Sequence, residues 1–282
     1  MTHPVTLVRA CRRNGRGGSP TAVVDGVPAD DAQRRAVPVA AGASHAVFVS
    51  DGPDGVALRF FTATGELPAC GHGTVAALAV LAARAGTREY ATRLRSGGRT
   101  FTGRASWVGD GYEALFDPGP IALRAADAAE RAPVLAALGL PTDASCRVAS
   151  VGRPRLLVRV ADRAALAALT PDMARLRAAC DRAGLLGCYA HSGPGPDGRL
   201  AARMFAPSIG VPEDIANANS TACLAALLAG AEPTVLRVDM GDALGEPATV
   251  TATARPATAR GAAGPTVRVG GTATIVGRLP LP

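Results

Sequence analysis

The loop Glu66-Leu67-Pro68-Ala69-Cys70-Gly71-His72-Gly73-Thr74 sets a thiol and an imidazole on either side of a glycine, just before an apolar run that reads as a helix. A cysteine at a helix amino end beside a histidine is expected to have a depressed pKa, and glycines let a substrate approach the backbone closely. The same loop also fits a small buried cysteine that performs no chemistry. A zinc site needs about four ligands at regular spacing, which Cys-x-His does not supply, so no metal is expected. Gly71-x-Gly73-x-x-Ala76, with Glu89 farther on, matches a dinucleotide fingerprint as well. A lone match in a hairpin-rich context is a weak signal, because a nucleotide fold needs strand-helix-strand crossovers.

A second loop, Pro212-Glu213-Asp214-Ile215-Ala216-Asn217-Ala218-Asn219-Ser220-Thr221, puts an acidic pair ahead of amides and hydroxyls before another apolar run. Asn219, Ser220 and Thr221 suit a helix cap. Asp214 could act as an acid or base and Asn217 could orient a substrate, set against plain solvent-facing loop roles. His45, in Ala43-Ser44-His45-Ala46-Val47-Phe48, enters a strand whose alternation aims it to the same side as Val47 and Val49. An imidazole titrating near pH 6.5 suits proton transfer, although a lone histidine is by default structural. His3 falls in an expected disordered terminus, and His191 at a strand end near a turn.

These loops sit at matching places in an internal duplication, offset by about 142 to 147 residues. Ala41-Gly42 answers Ala183-Gly184, and Ala46 to Ser50 answers Cys188 to Ser192. Gly52-Pro53-Asp54-Gly55 recurs as Gly195-Pro196-Asp197-Gly198, an Asp-Gly hairpin signal in each copy. Arg59 and Arg203, Phe61 and Phe205, and Pro68 and Pro212 follow in step, then Thr74 answers Thr221. Each unit reads strand, hairpin, strand, loop, helix. The helices, Thr74 to Ala83 and Thr221 to Leu228, are apolar on every face, so each must be wrapped by its own sheet. Pro171 to Ala183 reads as a covering helix with Thr170 as cap, and its Cys180 recurs with Met173 and Leu176 as core. Cys223, inside the second apolar helix, also reads as core. The expected fold is α+β, with two pseudo-symmetric halves, each a mostly antiparallel sheet or barrel around a central apolar helix. The first half spans residues 1–118, with a strand at 270–282 returning to it, and the second spans 119–269. Facing helix amino ends at the junction of such halves would favour an anion such as a carboxylate.

The composition narrows the chemistry further. The chain has 282 residues, 48% apolar, enough for a large core. All 30 of its basic residues are arginine. Without lysine there is no Schiff base, no internal pyridoxal phosphate anchor and no GxxxxGK[ST] phosphate loop. The net charge of +7 comes from scattered arginines with only 4% aromatic residues, so nucleic acid is not an expected partner. Six cysteines without a CxxC pair, and a start lacking the apolar run of a signal peptide, point to free thiols in the cytoplasm. The longest uncharged apolar stretch, Val75 to Ala83, is too short to cross a membrane.

Gly18-Ser19-Pro20-Thr21-Ala22-Val23-Val24, Ser44 to Val49, Glu66-Leu67-Pro68 with Gly71-His72, Val211-Pro212-Glu213-Asp214 and Val267-Arg268-Val269-Gly270-Gly271 resemble the phenazine-biosynthesis (PhzF-like) isomerase family over nearly the whole chain. The resemblance implies the diaminopimelate epimerase fold, a cofactor-independent proton shift on a small conjugated carboxylic acid, and a homodimer. In that family a glutamate after the serine of the Ser44 motif shuttles the proton; here that position is His45. The assisting histidine and aspartate match His72 and Asp214, and the serine role falls on Ser220, because Asn219-Ser220 replaces the usual Thr-Gly-Ser. Cys70-Gly71-His72-Gly73 is similar to the first catalytic loop of proline racemases and diaminopimelate epimerases, which use two opposed thiols, whereas the second loop has no cysteine at its mouth. The expected catalytic residues are therefore His45, His72, Asp214 and Cys70, with Ser44, Gly71, Gly73, Thr74, Asn217, Asn219 and Ser220 binding substrate. The departures imply a changed substrate, first an alkyl-proline precursor of lincosamide or pyrrolobenzodiazepine antibiotics, second the phenazine precursor. A Cys70 racemase or epimerase, and a non-catalytic or nucleotide-binding relative, are the rival readings.

Overall fold

The structure, a computed structural model, describes residues 4–26, 30–256 and 264–280; His3 lies outside them. The chain divides into two compact units, Met1–Asp117 with Glu246–Thr249 and Arg268–Pro282, and Pro118–Gly245 with Val250–Val267. The elements run β1 (Pro4–Ala10), β2 (Ser19–Asp25), α1 (Asp31–Ala40), β3 (His45–Ser50), β4 (Val56–Phe61), β5 (Glu66–Leu67), α2 (Gly71–Ala85), β6 (Glu89–Ser96), β7 (Arg99–Val108) and β8 (Gly111–Phe116). They continue as β9 (Ala122–Arg124), α3 (Ala128–Ala137), β10 (Cys146–Val151), β11 (Arg153–Arg159), α4 (Arg163–Ala167), α5 (Met173–Arg182), β12 (Cys188–His191), β13 (Leu200–Ala206) and β14 (Val211–Asp214). Last come α6 (Ala218–Leu227), β15 (Thr234–Met240), β16 (Ala248–Arg255) and β17 (Thr266–Pro280).

In the first unit the pairings run β1, β2, β3, β4, β6, β7, β8, β17 and back to β1, an eight-stranded closed barrel. Only β2 with β3 and β4 with β6 pair in parallel. Closure leaves the barrel without a free edge. Helix α2 packs on six of its strands, and every residue from Gly71 to Ala82 is buried. From Val75 to Ala83 the helix is Ala, Val and Leu throughout, thin and apolar on all sides, so it fits inside where an amphipathic one would bury charge.

The second unit repeats this pattern. Strands β11 and β12 are parallel, β12 and β13 antiparallel, and β13 and β15 parallel, with α6 against β10, β11 and β15. The registers coincide: Ala46 pairs with Phe61 where Cys188 pairs with Phe205. The Ser44 amide donates to the Pro20 carbonyl at 3.0 Å where the Leu186 amide donates to that of Pro154 at 2.7 Å. Both Asp-Gly turns close, with the Gly55 amide on the Gly52 carbonyl and the Gly198 amide on that of Gly195.

Three helix starts differ from the sequence expectation. Helix α2 begins at Gly71 and α6 at Ala218, each three residues earlier than read, because the non-helical cap residues ahead of them are Cys70 and Asn217. Thr74 and Thr221 do not open these helices. Their hydroxyls donate to the carbonyls of Cys70 and Asn217, at 2.8 and 3.0 Å, from within the first turn. The cap of α6 is thus Asn217, whose side-chain oxygen accepts from the Ser220 amide, rather than Asn219, Ser220 or Thr221. Helix α5 starts at Met173 with Asp172 as cap, in place of Thr170, because the Asp172 carboxylate accepts from the Arg175 amide. Cys180 lies in the second unit's core with Leu176, and Cys223 is buried too.

Candidate active site

In the first unit, β3 delivers His45 and the first turn of α2 delivers His72, with Cys70 as its cap residue. All three are buried, at 3%, 1% and 6% exposure, whereas Ser44 is exposed. His45 Nδ1 lies 3.0 Å from His72 Nε2 and 3.0 Å from Ser44 Oγ. The two rings meet edge to face, with centroids 4.4 Å apart. His72 Nε2 lies 3.4 Å from Cys70 Sγ, and Ser44 Oγ lies 3.1 Å from Ser19 Oγ. The result is a relay from Ser19 through Ser44, His45 and His72 to Cys70.

Ser44 Oγ donates to the Pro20 carbonyl at 3.0 Å, and one N–H of the imidazole pair fills the 3.0 Å contact between His45 Nδ1 and His72 Nε2. Burial first, and the neighbouring His72 second, hold the pKa of His45 well below the ordinary histidine value, so His45 is neutral near pH 7. A neutral imidazole has a lone pair that can accept a proton, and the lowered pKa favours its return.

Gly73 has a packing reason for its missing side chain. A Cβ there would stand 2.9 Å from the Phe60 ring and 3.1 Å from Cys70 Sγ. His45 Nδ1, His72 Nε2 and Cys70 Sγ all lie within 4.8 Å of one another and could hold a soft divalent cation. Zinc bonded tetrahedrally at ordinary lengths separates two nitrogens by about 3.3 Å and a nitrogen from a sulfur by about 3.6 Å. Two of the three edges here, at 3.0 and 3.4 Å, are near those values.

In the second unit, Asp214 ends β14 and is buried; its carboxylate accepts from Asn217 Nδ2 at 2.9 Å and from the Ala216 amide at 3.4 Å. Asn217 therefore bridges Asp214 to the Ser220 amide, with both ends of its side chain engaged. Ser220 is fully buried, while Asn219 is half-buried in the first turn. His191 is buried at the end of β12 with Nδ1 3.1 Å from the Ser192 carbonyl, and burial lowers its pKa.

Sequence reasoning missed one residue. Arg155, on β11, is 2% exposed, and its NH1 donates to Ser220 Oγ at 3.2 Å. The one available signal was the spacing of Arg153, Arg155 and Arg159 along a strand, which by itself reads as a solvated face.

A family model described as phenazine biosynthesis-like protein matches residues 12–278. An uncharacterized isomerase of Deinococcus radiodurans is 30% identical over 276 residues, covering 93% of this chain and 88% of its own. An uncharacterized isomerase of Salmonella typhimurium is 28% identical, over 76% of this chain and 74% of its own. A crystal structure of a PhzF-family protein from Bacillus anthracis has a TM-score of 0.83 at 16% identity, covering 100% of this chain and 99% of that one. A predicted epimerase from Pseudomonas aeruginosa gives 0.80 at 27% identity, with the same coverage. A probable proline racemase from Agrobacterium radiobacter shares the fold, with a TM-score of 0.69 at 13% identity over 99% of this chain and 93% of that one.

Proposed function

The chain belongs to the phenazine biosynthesis-like (PhzF-like) family and is an isomerase, and from that premise we propose that it shifts a proton between two carbons of a small unsaturated carboxylic acid, migrating a double bond without a cofactor. The observation that carries this reading is the buried contact of His45 Nδ1 with His72 Nε2 at 3.0 Å, anchored on Ser44 and reaching Cys70. His45 takes the proton from the first carbon, and the bonding pair left behind enters the conjugated system of the acid. Burial and the neighbouring His72 lower the pKa of the imidazolium so formed, which favours its giving the proton up. It then gives the proton to the second carbon, which closes the cycle with His45 neutral and no net change in atoms or electrons.

His72 and Cys70 assist as members of the same relay, and Asp214 is the auxiliary acid or base. Main-chain amides at Gly71 and Gly73, with Asn217, Asn219 and Ser220, bind substrate; the Thr74 amide does not, because it donates to the Cys70 carbonyl at 3.0 Å. The substrate class that fits best is a cyclic unsaturated amino acid, an alkyl-proline antibiotic precursor before a dihydro-hydroxyanthranilate-like one, and the working form is a homodimer. A two-thiol racemase is the weaker reading: the cap residue of α6 that answers Cys70 is Asn217. Cys223 is buried in the helix behind it, and burial raises its pKa.

The test is proton NMR in deuterated buffer with a panel of unsaturated cyclic carboxylates, including alkylidene pyrroline acids and the phenazine precursor. Deuterium is expected at a shifted carbon with the native protein, and His45→Ala should lower the rate by about 10²- to 10⁴-fold while leaving the fold intact. Unchanged turnover in His45→Ala removes His45 from the mechanism. Exchange confined to the α-carbon and abolished by Cys70→Ser replaces this reading with the racemase.

A further inference from the structure

Arg155 is a buried cation with no anion paired to it among the described residues. Its guanidinium has five N–H donors, of which NH1 donates to Ser220 Oγ at 3.2 Å and NH2 to the Arg153 carbonyl at 2.9 Å. Its Nε–H has no partner, and no carboxylate lies within ion-pair distance of it among the described residues. Burying a charge without a counter-charge is costly, and proteins compensate it with an ion pair or a ligand.

The surroundings add to the case. Ser220 is the third residue of α6, a ten-residue helix whose first-turn amides carry a partial positive charge. Its hydroxyl accepts from Arg155, and its own proton points to nothing better than the Met204 thioether at 3.5 Å. A thioether is a weak acceptor. At the neighbouring register position Gly187 has no side chain, and a Cβ there would sit 2.1 Å from the Phe205 carbonyl oxygen. Asp214, the nearest acid in the chain of contacts, is occupied by Asn217 and the Ala216 amide.

We propose that Arg155, the Ser220 hydroxyl and the first turn of α6 form a binding site for a small carboxylate, with the guanidinium fork as its anchor. That this anion is the substrate's own carboxylate rests on the isomerase reading above. The planar fork and the hydroxyl match the two oxygens of a carboxylate, a geometry that neither a lysine nor a helix terminus alone supplies.

The probe is sorbate, a small conjugated carboxylate, with its neutral amide as control, measured by equilibrium dialysis on the full chain. Sorbate should bind with a Kd at least tenfold lower than that of the amide. Arg155→Met should raise the sorbate Kd tenfold or more, and Ser220→Ala a few-fold, with the amide indifferent to both. Without ligand, Arg155→Met should melt no lower than the native protein, because it removes an uncompensated buried charge. A lower melting temperature with unchanged sorbate affinity in Ser220→Ala would make Arg155 a structural residue and overturn the proposal. Should Arg155→Met fail to fold, Arg155→Lys and Ser220→Ala decide: an unchanged Kd in both overturns it. Phosphate or chloride binding as tightly as sorbate would reduce the site to a general anion site and likewise overturn it. None of these readouts needs turnover. Sorbate binding through Arg155 in a protein that exchanges no deuterium would sink the isomerase reading alone, and exchange without dependence of binding on Arg155 would sink this one alone.

Discussion

At the amino end of α2 stand a thiol and two imidazoles; at the amino end of α6 stand an amide, a hydroxyl and a guanidinium, on the same backbone. Cap Cys70 answers cap Asn217, His72 answers Asn219, Gly73 answers Ser220, and both threonines fold back on the cap carbonyl. On the strands, His45 answers Gly187 and Thr21 answers Arg155, as the paired registers require. The first mouth gathers two imidazoles and a thiol, side chains that can give and take protons, and the second gathers an amide and a hydroxyl around the guanidinium of Arg155. One duplicated frame thus carries two different sets of side chains, imidazoles and a thiol at one mouth and an amide, a hydroxyl and a guanidinium at the other. The shared part is what folds each helix into its sheet.

The largest effect should come from making the first mouth like the second. His72→Asn replaces the imidazole with the residue its counterpart carries and breaks the relay beyond His45. It should lower the exchange rate by about 10²-fold or more with little change in melting. A rate within twofold of native would mean that the relay ends at His45.

A second duplicated device differs in burial and in the further partners of its arginine. Arg59 grips Glu66 with two hydrogen bonds of 2.8 and 2.6 Å and lies over Phe61, and Arg203 grips Glu213 at 2.9 and 2.8 Å and lies over Phe205. The first pair is 36% and 40% exposed at its side chains, the second 13% and 9%. Arg203 also donates to the carbonyls of Leu166 and Leu169. Arg203→Ala should therefore destabilise by about 3–5 kcal/mol, because Glu213 is left buried and unpaired. Arg59→Ala should cost at most about 1 kcal/mol. Urea unfolding of both variants checks this, and equal losses would show that burial is not what separates the copies.

The smallest effect is on pH dependence. His45 has a folded-state pKa below its unfolded value, so below about pH 6.5 the unfolded chain takes up a proton that the folded chain does not. Stability should be full above that pH and fall on acidification, by about 1.4 kcal/mol per pH unit for one such proton, until the folded-state pKa is reached. His191, whose pKa is also lowered by burial, adds a similar dependence from the second unit, so His191→Asn is the background in which to measure it. In that background His45→Ala should flatten the profile between pH 6.5 and 5; an unchanged slope would place the acid sensitivity elsewhere.

Much of this was legible in the sequence because it is local. The repeated Gly-Pro-Asp-Gly turns, the paired Arg and Phe positions and the two all-apolar helices declare the duplication, since turn chemistry and periodicity act over a few residues. Cys70 and His72 lie two residues apart, so their meeting at one helix start could be read directly. The helix starts were read three residues late because the capping geometry depends on which residue is the non-helical cap, and Thr74 and Thr221 suit a cap as well as a first turn.

What the sequence by itself determined is the frame, two apolar helices that only an enclosing sheet could cover, and the presence of an imidazole and a thiol at the mouth of one. Tertiary structure alone decided that His45 reaches His72 across 27 residues of chain and that both are buried, which is what lowers the pKa of His45. It also decided that Arg155, one of several arginines along a strand, is the one turned inward against Ser220 without a counter-charge. Burial and long-range contact set the electrostatics of a site, and neither is written in the spacing of residues along a strand.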